Sequence, residues 1–197
     1  MIFTETRLKG AFIVDAERRS DDRGYFARVF CQKEFEQLGL DGSVAQTNVG
    51  VSVRRGTLRG MHFQYASAIE AKLMRCMHGS ILDVIVDLRP ESPTYLEHVA
   101  VELSGENQRA LYIPGRFAHG YQTLEDGTTI LYHASTFYTP SAESGLRYDD
   151  PRLAIAWPLP VTAVSAKDSN FALLETIEGE LTARMSLTRP KVVAAVG

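Results

Sequence analysis

The chain has 197 residues, 45% of them hydrophobic and 23% charged, which is enough for one sizeable core and short for two. Its formal net charge of -3 gives no overall electrostatic hold on nucleic acid or an anionic membrane, so an anionic partner has to be met by local arginines. The opening Met1-Ile2-Phe3-Thr4-Glu5-Thr6-Arg7 lacks the apolar stretch of a signal peptide, and no apolar run is long enough to cross a bilayer. Cys31 and Cys76 have neither CxxC nor zinc-finger spacing, so a cytoplasmic protein with free thiols is expected.

In chain order, the first regular element expected is a helix over 32–38, closed by Gly39. Short β-branched or aromatic runs then dominate, and the clearest strands fall at 81–88, 98–103, 109–113 and 128–133. Between them lie turn residues: Arg89-Pro90-Glu91-Ser92-Pro93, Ser104-Gly105-Glu106-Asn107, Pro114-Gly115 and Glu125-Asp126-Gly127. After Asp168, the residues Phe171, Leu173, Leu174, Ile177 and Leu181 approximate helical spacing, and 188–197 has no clear period. The expectation is an all-β antiparallel sandwich or barrel with a few short helices. It forms a single domain over 1–197, in which 170–197 is a helical or loosely ordered extension.

Residues suited to chemistry concentrate in Gly56-Thr57-Leu58-Arg59-Gly60-Met61-His62-Phe63-Gln64. Strict alternation sends Arg59 and His62 to opposite faces of a strand, whereas a bulge at the glycine would bring both to one cavity. Taken alone, the segment reads equally well as a core histidine beside a surface arginine. Lys72, His119, Tyr132 and Asp168 follow, and with His62 they form a set sufficient for proton transfer next to a carbonyl. His78 and His98 have no such company, and His133 faces away from Tyr132 on an ideal strand.

From Asp22-Arg23-Gly24-Tyr25-Phe26 to Ser165-Ala166-Lys167-Asp168 the chain resembles the dTDP-4-dehydrorhamnose 3,5-epimerase family. The matching pieces include Gln46-Thr47-Asn48, the glycine-flanked segment around His62, Lys72-Leu73, Phe117-Ala118-His119-Gly120, Asp149-Asp150-Pro151 and Trp157-Pro158. The resemblance implies a cupin-type jelly-roll barrel, a homodimer with exchanged N-terminal strands, and a site inside the barrel that works without a cofactor. It implies His62 as general base, Asp168 as the carboxylate that orients it, Tyr132 as general acid and Lys72 as the group that stabilises an enolate oxygen. Substrate contacts carried over in the same way are His119, Arg23 and Arg59 on the diphosphate, Gln46, Asn48 and Glu143, and Tyr138 on the nucleotide base, with Phe26 as a second face for that base. Gln46 and Glu143 equally suit turn caps, and Tyr138 equally suits simple packing.

The chemistry implied is inversion at C3, C5 or both of a nucleoside-diphosphate 4-keto-6-deoxyhexose, dTDP-linked, for deoxysugar and cell-surface polysaccharide supply. A proton on carbon becomes removable only if the adjoining carbonyl takes up charge, and each unit of pKa mismatch with the base costs about 1.4 kcal/mol. Two rival readings remain. A metal-dependent cupin would use His62, Gln64, Glu70 and His119, although Gln64 stands where a second histidine is expected. A catalytically silent sugar-nucleotide binding protein would have no use for an opposed acid and base. Arg28 and Tyr148 stand where many family members have glutamate and tryptophan, which leaves the nucleotide open.

Overall fold

The computed structural model describes residues 1–186. Its strands are β1 (Ile2–Glu5), β2 (Phe12–Asp15), β3 (Arg18–Asp21), β4 (Gly24–Ala27), β5 (Gln46–Ser52), β6 (Leu58–Gln64), β7 (Lys72–His78), β8 (Ser80–Asp87), β9 (His98–Ser104), β10 (Ala110–Ile113), β11 (Phe117–Thr123), β12 (Thr128–Ala134) and β13 (Glu143–Gly145). The helices are α1 (Gln32–Gln37), α2 (Ala166–Ser169) and α3 (Leu174–Met185). All strand pairs are antiparallel, and they build a jelly roll from two facing sheets, β1-β2-β10-β7-β12-β5 and β13-β6-β11-β8-β9. A separate two-stranded ribbon, β3-β4, stands apart from both. Among the described residues no helix is long and apolar enough to cross a membrane.

Three apolar clusters explain why this sequence settles so. Between the sheets, Met74, Leu111, Ile113 and Ile130 from one side meet Ile81, Ile85, Leu103, Phe117 and Tyr121 from the other. The outer face of the smaller sheet is covered in turn by the C-terminal segments, where Leu174, Leu181 and Met185 of α3 are fully buried against Met61, Val84 and Val86. Burying such a side chain is worth about 1.5–3 kcal/mol, so three on one face hold an otherwise weakly amphipathic helix. On the outer face of the larger sheet, α1 sets Phe35 against Val14, Leu73 and Tyr112, and Gly39 ends that helical region with a φ of +69°.

Strand β8 is covered on both faces, which is why its alternation is only partial in the sequence. Ile81 and Ile85 point between the sheets while Val84 and Val86 point outward under α3. Two acids break this run, Asp83 and Asp87, both fully buried. Asp87 organises the following turn, accepting from Arg89, Ser92 and Thr94. Asp83 has a different partner. The extension expected over 170–197 carries helix α3, and its last residues, 187–197, lie outside the described residues.

Candidate active site

The bulge that would unite Arg59 and His62 is present. In the ladder with β11, Arg59 lies opposite Tyr121 and His62 opposite His119, so β6 carries one residue more than its neighbour over this stretch. Glycine makes the crossing possible, because a Cβ on Gly60 would stand 2.4 Å from the Cα of Gly120. Both side chains thereby border one cavity of about 360 Å³ between the sheets, lined also by Asn48, Lys72, Met74, His119, Tyr121 and Tyr132. A lobe of about 290 Å³ adjoins it, shares Asn48, His62, Lys72 and Tyr132, and adds Gln46, Glu70, Tyr138 and Glu143. Another, of about 320 Å³, leads from Arg59 and His62 to Ser165, Lys167 and Asp168. His62 borders all three.

Its imidazole is held by a carboxylate. Nε2 of His62 lies 2.9 Å from Oδ1 of Asp168, and since a carboxylate only accepts, that nitrogen is the donor, so in the neutral ring it is Nδ1 that keeps a lone pair. Among the described residues Nδ1 makes no hydrogen bond. Asp168 is fixed independently: its Oδ2 accepts from the backbone N–H of Gly60 at 3.1 Å, and its own N–H donates to the Ser165 side chain that caps α2. Burial would push its carboxyl up, but the hydrogen bond and charge of His62, with the Gly60 N–H and Ser165, hold it below the usual carboxylate range.

Deeper in the cavity a second pair forms. Nε2 of His119 lies 2.7 Å from Oδ1 of Asp83, both residues are buried, and Oδ2 of Asp83 has no partner among the described residues. Complete burial pushes the Asp83 carboxyl above its ordinary range, against the opposing pull of His119 and Lys72. Lys72 reaches the same space with its Nζ 3.0 Å from Glu70, both side chains largely buried. The Tyr132 phenol is raised above its ordinary pKa by burial and by the charge of Glu70, so it enters the cavity as a protonated donor.

A model of the dTDP-4-dehydrorhamnose 3,5-epimerase family matches residues 5–176. The chain belongs to that family. It is 42% identical over 172 residues to the dTDP-4-dehydrorhamnose 3,5-epimerase of Methanothermobacter thermautotrophicus, covering 86% of this chain and 92% of that one. The crystal structure of the Bacillus anthracis dTDP-4-dehydrorhamnose 3,5-epimerase with TDP and PPi bound is similar at TM-score 0.85 and 39% identity, covering 88% of this chain and 99% of that one. The dTDP-6-deoxy-D-glucose-3,5-epimerase of Legionella pneumophila in complex with dTDP-4-keto-L-rhamnose is similar at TM-score 0.85 and 37% identity, covering 91% and 96%.

In this epimerase the residues expected at the site divide into three groups. His62, Lys72, Asn48, Arg59, His119 and Tyr132 line the main cavity, and Asp168 backs His62. Gln46, Tyr138 and Glu143 rim the adjoining lobe, where they hold one another: the Tyr138 backbone N–H donates to Gln46 Oε1 at 2.6 Å, the Tyr138 hydroxyl donates to Glu143 at 2.6 Å, and Lys167 pairs with the other Glu143 oxygen. Arg23 and Phe26 stand outside these spaces, on the β3-β4 ribbon. Arg23 is bound to Asp21 with its side chain 90% exposed, and Phe26 is 72% exposed. His133 faces away from Tyr132, with Nδ1 2.8 Å from the Thr47 hydroxyl.

The donors of the metal-binding reading do not converge. Glu70 holds Lys72, His119 holds Asp83, His62 holds Asp168, and both ends of the Gln64 amide bond the backbone, to Ala68 and Thr139. Among the described residues no group of three or more His, Cys, Asp or Glu is placed to share an ion. The sequence alone assigns no role to Asp83 or Lys167. The one available signal for Asp83 is an acid inside an apolar strand, and Asp87, four residues on, carries that signal for a purely structural reason.

Proposed function

We propose that the protein inverts C3, C5 or both of a dTDP-linked 4-keto-6-deoxyhexose by proton abstraction and return through an enolate, without a cofactor, in deoxysugar biosynthesis. The observation that carries this reading is an imidazole tied to a buried carboxylate through one nitrogen, beside a protonated phenol and an ammonium on the walls of the same cavity.

In this reading Nδ1 of His62 takes the proton from the carbon next to the ketone, and Asp168 favours the imidazolium that results. Charge moves to the carbonyl oxygen, where Lys72 receives it with His119 beside it; one positioned donor of this kind lowers a barrier by about 3–4 kcal/mol. Tyr132 returns a proton to the opposite face, which is what converts exchange into inversion. Arg59, at the junction of two lobes, suits the diphosphate, since its planar fork matches phosphate oxygens. Gln46, Asn48, Tyr138 and Glu143 contact the rest of the nucleotide sugar.

The working unit is a homodimer with exchanged N-terminal strands, in which the ribbon supplies Arg23 and Phe26 to the partner's site. Support comes from the ribbon itself, which leaves Tyr25 and Phe26 in solvent, and from the exposed Val49 and Val51 along the edge strand β5, with Val53 just beyond its end. The deciding experiment follows sugar-proton exchange in deuterated water for dTDP- and CDP-linked 4-keto-6-deoxyglucose in parallel. Enzyme-dependent deuterium uptake at C3 or C5 supports the proposal, and binding without exchange overturns it in favour of a silent binding protein.

A further inference from the structure

One short stretch of chain delivers two groups to the base. Three residues after Asp168, between α2 and α3, Phe171 turns its ring onto the imidazole of His62, with centroids 5.8 Å apart and planes at 70°. The ring occupies ground that a side chain on the neighbouring strand would fill. Gly145 is the ladder partner of His62 in the β13-β6 pair, and a Cβ there would stand 2.4 Å and 2.5 Å from two Phe171 ring carbons. The imidazole is therefore gripped at one nitrogen by Asp168 and along its flank by a phenyl group seated over the backbone of the next strand.

The two contacts restrain different motions. A histidine's outer torsion is broad, so a single hydrogen bond at Nε2 leaves the ring free to pivot about the nitrogen–oxygen line. That pivot sweeps Nδ1 through the cavity, and an abstraction that depends on alignment loses rate when its base is off line by about 1 Å. The phenyl ring packed across the imidazole blocks the pivot, and being apolar it offers Nδ1 no hydrogen bond to compete with the substrate.

We infer that Phe171 is a positioning residue for the His62 base, its ring seated on the backbone at Gly145, where a Cβ would meet both that ring and the Met61 carbonyl oxygen. This rests on the assignment of His62 as the base. The segment 165–171 then acts as one clamp: Ser165 caps the helix, Asp168 sets the tautomer and Phe171 sets the angle.

The test measures kcat, KM and sugar-proton exchange for the full-length protein carrying Phe171→Ala, Phe171→Leu or Phe171→Tyr, alongside His62→Ala. The expected result is a fall in kcat of about 10- to 100-fold for Phe171→Ala with KM within about threefold, and recovery to within about threefold of wild type for Phe171→Tyr. Phe171→Leu keeps the apolar volume without a flat ring, so it carries the same test should the alanine variant fail to fold. Its kcat is expected to fall about tenfold. Wild-type kcat in either variant, or a loss confined to KM, overturns the inference. Ring-proton NMR of the free enzyme supplies a readout independent of turnover. His62 resonances, assigned through His62→Asn, are expected to be shifted by the Phe171 ring current in wild type and to move and broaden in Phe171→Leu. Unmoved, sharp resonances overturn the inference, whereas full activity in His62→Ala would overturn the base assignment instead.

Discussion

His62 and His119 are direct neighbours across the β6-β11 ladder, each bonded through Nε2 to an aspartate, yet their surroundings differ. The outer pair is set up for change: the His62 side chain is 32% exposed, its other nitrogen has no partner among the described residues, and Asp168 is kept anionic by a backbone N–H and a helix cap as well as by the histidine. The inner pair is sealed, with Asp83 fully buried, one carboxyl oxygen without a partner among the described residues, and its ionisation penalised by the loss of solvent. The two aspartates are thus tuned in opposite directions by what surrounds them, the usual mark of divided labour in a proton-transfer site. The outer pair suits a base that must cycle through a cation. The inner one suits a group that only has to keep its place.

Three substitutions and one acid titration break or sharpen this contrast. His62→Ala is expected to lower exchange at the sugar carbons by at least about 1,000-fold, measured by deuterium uptake, because no neighbouring group can take over as base. Asp168→Asn, which can present an amide N–H to Nε2 and so favour the wrong tautomer, is expected to cost about 1,000-fold or somewhat less in kcat with KM little altered. A comparable loss in KM alone would mean that the carboxylate serves binding. Asp83→Asn should be milder, about tenfold in kcat, or about 1.4 kcal/mol of transition-state stabilisation, since His119 is not the base and the amide fills the same space beside it. Equal losses from the two asparagine variants would erase the distinction between the pairs.

The smallest expected effect is on acid stability. Asp168 has its folded pKa depressed, so the stability it contributes is fully present above its unfolded pKa of about 3.9 and is lost as pH falls through the lower folded value. Chemical denaturation of wild type and Asp168→Asn should therefore differ by a constant margin above about pH 5 that narrows below about pH 4. A margin that widens on acidification would reverse the sign assigned to this carboxylate.

Much of this could be read before the fold. The strands around β8, β9, β10 and β12 follow from β-branched runs between turn residues, and α1 from its closing glycine. His62, Lys72, Tyr132 and Asp168 were visible as a set because their residue types answer to one reaction. The placement of Arg59 beside His62 was readable only as an alternative, because a bulge depends on which strand lies alongside; it took Gly120 on β11 to let Gly60 cross. Asp83 and Asp87 look alike in sequence, and only the register separates the one that reaches His119 from the one that ties a turn. Phe171 read as one apolar position among several at helical spacing, and its contact with His62 arises from the loop that swings it back over β13.

The sequence by itself determined the all-β class, the helix before β5, the absence of a long apolar span and the chemical inventory of the site, since these rest on local periodicity, turn residues and side-chain type. Tertiary structure decided which histidine is sealed and which is open, which aspartate serves each, and what grips the base from the side. Those depend on distances between strands far apart in the chain, and solvent exclusion at a point in space has no signature in local order along it.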